Sequence, residues 1–301
     1  MNAEQPGKDA MKADTIAKRA RGSETKRWLG KVRSALWPPV EESFDATQPI
    51  AESVGKSGER FRFRVACDMA SRERVFRFAH EIYSGVSLAQ DDDGMVVSPH
   101  DAGPETFTLL AESEDGTILG TVSLVFDSER GLPCDEIYWQ ETGALRSQGR
   151  AMAEVTRLAL RKDPDASREI LLRLFNLIYV YATRVRGYTD FVIEVHPRHV
   201  KYYERALGFR TEGGEQKCPR VGGAPAVLAR LDLALPKREV RRIGGLGDAV
   251  KERTLYRHFW YTDREPGLAR AMAAAWRPMP EHEARYFGIA PTSEKEGVLA
   301  S

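Results

Sequence analysis

Along residues 60–236 the spacing of apolar positions switches repeatedly between a period of two and a helical period, and each switch marks an element. Residues 61–68 (FRFRVACD) alternate apolar with charged side chains and predict a first strand. Over 69–89, Val75, Phe76, Ala79, Ile82, Tyr83 and Val86 fall at helical spacing. The Asp-, Gly- and Pro-rich run 91–104 reads as a loop. Two apolar runs, 105–112 and 117–127, flank Ser113-Glu114-Asp115-Gly116, the signature of a hairpin.

Residues 128–150 (SERGLPCDEIYWQETGALRSQGR) interrupt this rhythm and are expected to form a long loop, of the kind that often carries function. A fourth strand is then predicted at 151–161, a helix at 167–186 capped by Ser167 and ended by Gly187, and a fifth strand at 190–196. The helix carries Ile170, Leu171, Leu174, Phe175, Ile178 and Tyr181 on one face. This is a βαβ unit with a right-handed connection. A further helix at 198–207 closes on Gly208, and a last strand spans 223–234. The predicted class is α/β (α+β): a mixed, mostly antiparallel sheet with helices on both faces. A pair of parallel strands that splays apart can hold an extended thioester, so the segment 154–209 points toward acyl transfer.

The ends differ from this middle. Residues 1–58 are polar and charged, with no sustained strand pattern, and are expected to be largely disordered. Within them, Trp28, Leu29, Val32 and Leu36 recur at helical spacing among basic residues over 18–37. Such a segment fits peripheral contact with an anionic membrane surface, docking on an acidic partner, or a solvated tail that packs its two Trp on the domain. Residues 59–236 form the central domain, and 237–301 a helical C-terminal extension, with Tyr256, Phe259, Trp260 and Tyr261 on one helix and Trp276 on another.

Composition narrows the function. Hydrophobic residues make up 42% of the 301 positions, enough for a core, and the 45 Lys and Arg against 44 Asp and Glu leave no basic field suited to nucleic acid. Cys67, Cys134 and Cys218 are too scattered for a disulfide framework or zinc cluster, which fits a reducing cytoplasm. No metal is expected, because His196 and His199 lack a third ligand. No apolar run approaches the ~20 residues of a spanning helix, and no signal-peptide core is seen at the N-terminus. The expected location is cytoplasmic, with peripheral contact at the inner membrane surface if 18–37 engages lipid.

The run LPCDEIYWQETGALRSQGR (132–150), the strand AEVTRLAL (153–160) and HPRHVKYYERALGF (196–209) together resemble the GNAT acyltransferase fold. Within it they are most similar to N-acyl amino acid synthases of the FeeM type and, more distantly, to acyl-homoserine lactone synthases. The resemblance spans roughly 60–236. It implies an acyltransferase that moves a long-chain fatty acyl group from acyl carrier protein to the α-amine of an amino acid, with no permanently bound cofactor and acyl-phosphopantetheine as donor. A lactone-synthase-like enzyme and a non-catalytic module that binds acyl groups or carrier protein are the alternatives. Coenzyme A enzymes of this fold carry a glycine-rich loop after the fourth strand, whereas residues 161–167 here (RKDPDAS) contain no glycine and two aspartates. That favours the carrier-protein donor.

Roles follow from the same residues. By resemblance, Glu154 and Arg157 belong to the active site: Glu154 orients or deprotonates the amine, and Arg157 holds that acid or the acceptor carboxylate. Their odd spacing puts them on opposite faces of a strand unless a bulge intervenes, and a structural ion pair is the competing reading. Tyr203 stands where acetyltransferases place the phenol that protonates the departing sulfur, with Tyr202 its neighbour. Backbone N–H groups around Leu158 and Ala159 are candidate oxyanion donors, and His196 ends the fifth strand beside the donor. Phe76 and Tyr83 on the first helix, with Tyr138 and Trp139, suit pocket walls or ordinary core. Arg146 and Arg150 are candidates to fork to an acceptor carboxylate, and Arg161 and Arg168 to receive an acidic carrier protein.

Overall fold

In the computed structural model of the protein, the described residues are 48–55, 58–85, 94–163 and 166–289. The basic segment 18–37, Val86, Pro164 and Asp165 lie outside them. The described residues all fall in the second of two units, Glu42–Ser301.

An eight-stranded sheet organises this unit. Its strands are β1 (Ala51–Val54), β2 (Arg60–Val65), β3 (Thr106–Glu112), β4 (Ile118–Phe126), β5 (Met152–Leu160), β6 (Asp190–Val195), β7 (Arg210–Cys218) and β8 (Ala224–Asp232), in the spatial order β1-β2-β3-β4-β5-β6-β8-β7. Six of the seven neighbouring pairs are antiparallel; β5 and β6 alone run parallel. The mixed, mostly antiparallel architecture expected from the sequence is therefore present. The central strands β3 and β4 are buried along almost their whole length, as strands covered on both faces must be. β1 and β7 carry no alternation that predicts a strand: β1 has one buried position, and β7 (RTEGGEQKC) is mostly exposed with two glycines at its irregular centre. The edges are thus short or charged, which protects them from further pairing.

Helices α1 (Met69–Ser84) and α2 (Asp135–Ser147) cover one face. Asp68 starts α1 with a capping box, its carboxylate accepting from the Ser71 N–H at 2.8 Å. α2 replaces the long loop expected over 128–150. Its buried stripe is Tyr138, Thr142 and Leu145, and a stripe with a threonine at its middle and a tyrosine at a kink shows little hydrophobic periodicity. Polar contacts hold it in place. Arg146 grips Asp127 with two hydrogen bonds of 2.7 and 2.8 Å and Asp135 at 2.6 Å, and the Tyr138 hydroxyl lies 2.8 and 2.7 Å from the carbonyls of Gly214 and Ala226, which share its one proton.

On the other face lie α3 (Ala166–Val180), α4 (Pro197–Leu207), α5 (Ala234–Ile243) and α6 (Glu265–Ala275), with the short α7 (Glu281–Tyr286) returning to the α1 side. α3 ends in a π-turn, Tyr181–Val185, whose Tyr181 stacks on Phe107 of β3 at 3.6 Å. Gly187 and Gly208 both adopt positive φ (70° and 76°), closing the helices where the sequence placed their ends. The C-terminal extension packs on the central domain: Trp276 donates its indole N–H to the Thr106 carbonyl at 3.0 Å, Arg72 pairs with Glu283, and Phe287 meets Phe76 edge-on at 5.0 Å. The expected helix through Tyr256–Tyr261 is instead a single 3-10 turn, Leu255–His258. No helix among the described residues is long and apolar enough to cross a membrane.

The seat of α2 on β7 depends on a missing side chain. A Cβ at Gly213 would stand 2.7 Å from Tyr138 Cδ1, too close without displacing that ring. Gly213→Val is therefore expected to lower stability by roughly 1–3 kcal/mol, measured by urea unfolding; an unchanged midpoint contradicts this packing.

Candidate active site

The parallel ladder between β5 and β6 pairs Met152 with Asp190, Ala153 with Phe191 and Glu154 with Val192, and goes no further. β5 continues to Leu160 along β4, and β6 to Val195 along β8, so the two strands diverge beyond Glu154. Their facing edges are released from each other in this gap. An extended chain laid there can pair with the freed backbone groups, much as a peptide adds to a sheet edge.

A bulge in β5 shapes the same place. Opposite the step from Thr121 to Ser123 on β4, β5 advances from Thr156 to Ala159, one residue more. Arg157 takes up the excess with φ of 49°, the one positive value at a non-glycine among the described residues. The extra residue cancels the odd spacing of Glu154 and Arg157. Glu154 pairs with Val125 and so shares the face of Ser123, and Arg157 donates to the Ser123 hydroxyl at 2.8 Å. Both side chains therefore lie on the face of α1 and α2.

They are not partners, however. Arg157 forks onto Asp101 at 3.0 and 2.6 Å, donates to the Val96 carbonyl at 3.2 Å, and lies 4.8 Å from the Phe76 ring centre. Every nitrogen of the guanidinium is engaged, and the residue is only 7% exposed. The ion pair is structural, but it joins Arg157 to Asp101 and leaves Glu154 alone. Glu154 is 2% exposed, and its Oε2 accepts the Cys134 backbone N–H at 2.7 Å from the start of α2. Burial pushes its carboxyl up to about 7, opposed by the Cys134 N–H and thiol and by the positive charge of Arg220. A carboxyl poised there is suited to accept a proton near neutral pH.

Two tyrosines approach from opposite faces. Tyr83, near the end of α1, points its hydroxyl at the Leu158 carbonyl, 3.4 Å away, and burial holds its phenol up at about 12. Tyr203 on α4 packs between Phe175 and Phe209, and its hydroxyl has no hydrogen-bond partner among the described residues. Burial raises its phenol, and Tyr202 and Tyr83 raise it further. Such a phenol stays protonated at neutral pH and can donate. His196 caps α4, its Nδ1 accepting the Arg198 N–H at 3.2 Å. Leu158 is half-buried in β5, whereas the Ala159 side chain and Phe76 belong to the core cluster beneath α1.

Several expected contacts are corrected. Arg146 is consumed by Asp127 and Asp135, and Arg150 by Asp190 at 2.6 and 2.9 Å together with Asp232 at 2.9 Å, so neither offers a free fork to a ligand carboxylate. Tyr138 is fully buried with its hydroxyl engaged, and Trp139, its neighbour, is 64% exposed. Phe76 is buried in the core against Phe287 and also lines a small cavity with Arg72 and Asp101. Arg161 pairs with Glu81 at 3.0 Å, and Arg168 lies 3.4 Å from His258, both at the surface. At the start of α3 the Asp163 carboxylate accepts the Ala166 N–H at 2.9 Å, so the helix cap is Asp163 and not Ser167, whose hydroxyl instead donates to the Arg161 carbonyl. The three thiols are buried and held above their ordinary value by that burial, which makes them poor nucleophiles.

Sequence reasoning missed Asp101, Ser123, Cys134, Glu194 and Arg220. Asp101 ends the 3-10 turn Pro99–Asp101, 56 residues from its partner, and its local capping box with Ser98 gives no sign of that distant pair. Cys134 contributes a backbone N–H, which no residue type encodes.

Comparison with known proteins bears on the fold and the family. The family model described as N-acyl amino acid synthase FeeM matches residues 74–232. Among solved structures, FeeM, an N-acyl amino acid synthase from uncultured soil microbes, is 26% identical with a TM-score of 0.53, covering 60% of this chain and 94% of that one. The AHL synthase LasI is 15% identical (TM-score 0.45; 58% and 91% covered), and a putative N-acetyltransferase from Lactobacillus plantarum likewise 15% (0.42; 57% and 98%). No curated protein matches the sequence.

Two outcomes are expected. Asp101→Asn strands a buried guanidinium and should destabilise the protein by roughly 3–5 kcal/mol in urea unfolding. For Glu154, a folded-state value raised from 4.5 to about 7 means that the fold prefers the protonated carboxyl. Its stability contribution is complete below about pH 4.5 and is lost as pH rises through 7. Glu154→Gln, neutral throughout, should therefore melt several degrees above wild type at pH 8 and show no such advantage near pH 4.5; a pH-independent difference contradicts the assignment.

Proposed function

The chain belongs to the FeeM N-acyl amino acid synthase family and is an acyltransferase, and from that premise we propose that it moves a long-chain fatty acyl group from the phosphopantetheine thioester of acyl carrier protein to the α-amine of an amino acid. The observation that carries the reading is the burial of Glu154, without an ion-pair partner among the described residues, at the point where β5 and β6 part; that burial raises its carboxyl. In this scheme the acyl-pantetheine arm lies between the diverging strands. The amine nitrogen bonds to the thioester carbonyl carbon and Glu154 takes an N–H proton. Backbone N–H groups of β5 around Leu158 and Ala159 stabilise the oxyanion. The C–S bond breaks, and the Tyr203 phenol gives its proton to sulfur and recovers one from solvent, to which Glu154 releases the proton it took. Atoms balance: amine and thioester become amide and thiol.

The choice of donor is supported at the start of α3. A coenzyme A pyrophosphate needs free backbone N–H groups and a positive field, whereas here an aspartate carboxylate already accepts the Ala166 N–H. A carrier protein's single phosphodiester makes no such demand. Arg161, Lys162 and Arg168 lie at the surface beside this point and suit an acidic carrier protein.

The test is incubation of the full chain with matched acyl carrier protein and acyl-coenzyme A thioesters, an amino-acid mixture and, separately, S-adenosylmethionine, with products read by mass spectrometry. N-acyl amino acids formed faster from the carrier-protein thioester are expected, and Glu154→Gln should lower kcat by about 100-fold or more. A lactone product, or no acylated amine from any mixture, overturns the reading.

A further inference from the structure

We propose that Glu194 is the residue that receives the acceptor amine, bound as an ammonium at the open end of the β5/β6 pair. The proposal rests on the acyl-transfer reading above and concerns the half of the reaction that reading leaves without a binding group, since Arg146, Arg150 and Arg157 are all spent within the protein.

Position comes first. Val192 pairs directly with Glu154, and Glu194 follows two residues later on the same face of β6, just past the last pair of the ladder. The catalytic carboxyl and Glu194 therefore share one face at the mouth of the gap. Both are tied to the entry of α2. Cys134 holds Glu154 through its N–H, and Arg220, in the turn after β7, donates to the Pro133 carbonyl while pairing with Glu194 Oε2.

Saturation comes second. The Glu194 side chain is only 11% exposed, and its Oε1 is buried with no hydrogen-bond partner among the described residues. A buried carboxylate oxygen without a donor is costly and rare in a folded protein. Its neighbours do not supply one: Arg220 divides itself between Glu194, Glu136 (2.9 Å) and the Pro133 carbonyl.

Charge identifies the ligand. Two carboxylates, Glu194 and Glu136, share one guanidinium, which leaves a net negative charge beside a Glu154 that is itself ionised above pH 7. A primary ammonium answers both needs, with N–H donors for the open oxygen and a positive charge for the excess. It loses one proton to solvent on becoming the attacking amine. Glu194 does not take part in proton transfer; it positions the nitrogen against Glu154.

The experiment compares wild type, Glu194→Gln and Glu136→Gln in two readouts. With the amino acid that wild type acylates fastest, Glu194→Gln should raise the acceptor KM by about 10- to 100-fold while leaving the acyl-donor KM and the melting temperature near wild type. Glu136→Gln, which removes the excess charge from the exposed side of Arg220 but leaves the open Glu194 oxygen in place, should raise the acceptor KM by no more than about 3-fold. Ligand-detected NMR with the same amino-acid mixture reports binding without turnover: wild type and Glu136→Gln should bind an amino acid, and Glu194→Gln should not. An unchanged acceptor KM in Glu194→Gln, an equal rise in Glu136→Gln, or binding by Glu194→Gln as strong as wild type overturns the proposal. Absence of turnover with intact, Glu194-dependent binding counts against the acyl-transfer reading and leaves Glu194 as the amine site.

Discussion

The structure depends on one residue of excess length in β5. A strand that ran regularly from Met152 to Leu160 would carry Glu154 and Arg157 on opposite faces of the sheet. The bulge at Arg157 brings both to the side of α1 and α2. A left-handed backbone at an arginine costs on the order of 1 kcal/mol, and the fork onto Asp101, the Ser123 hydroxyl and the Phe76 ring hold it in place. Arg157 is thus a keystone of the site more than a ligand-binding group. It sits just past the point where β5 leaves β6, so the bulge and the gap are features of the same short segment.

Glu154 gains its chemistry from what that geometry denies it. With Arg157 taken by Asp101, no cation among the described residues pairs directly with the Glu154 carboxylate, and burial dominates over the Cys134 N–H and thiol and the charge of Arg220. A salt bridge in its place would have depressed the carboxyl and removed it as a base near neutral pH. The E-x-x-R spacing therefore works through separation of its two members. This arrangement also explains why α2 is secured so heavily, by Arg146, by Tyr138 and by the close approach of Gly213, because α2 delivers the N–H that orients the carboxyl.

Much of this was legible in the sequence where local physics decides. The alternating run 61–65, the stripe of α3, and the glycines closing α3 and α4 marked the βαβ unit, and the odd spacing of Glu154 and Arg157 left two arrangements open, opposite faces or a bulge. The rest was hidden for identifiable reasons. α2 buries a threonine and a tyrosine where an apolar stripe would be expected, and β7 is an exposed edge with glycines at its centre. The roles of Arg146 and Arg150 turned on aspartates from other elements, Asp127 and Asp190, which sequence spacing cannot bring together. Asp101 and Glu194 acquire meaning only through partners supplied by the fold.

Family membership establishes acyl transfer, and in the proposed function the divergence of β5 from β6 is the place for that chemistry. What joins the two is the claim that Glu154 is an isolated, buried carboxyl able to exchange a proton near neutral pH. The most direct test is the titration of its carboxyl carbon by NMR in glutamate-labelled protein, assigned by loss of the signal in Glu154→Gln. A midpoint near 7, well above the ordinary 4.5, is expected; a midpoint at or below 4.5 would contradict the role of Glu154 as the base.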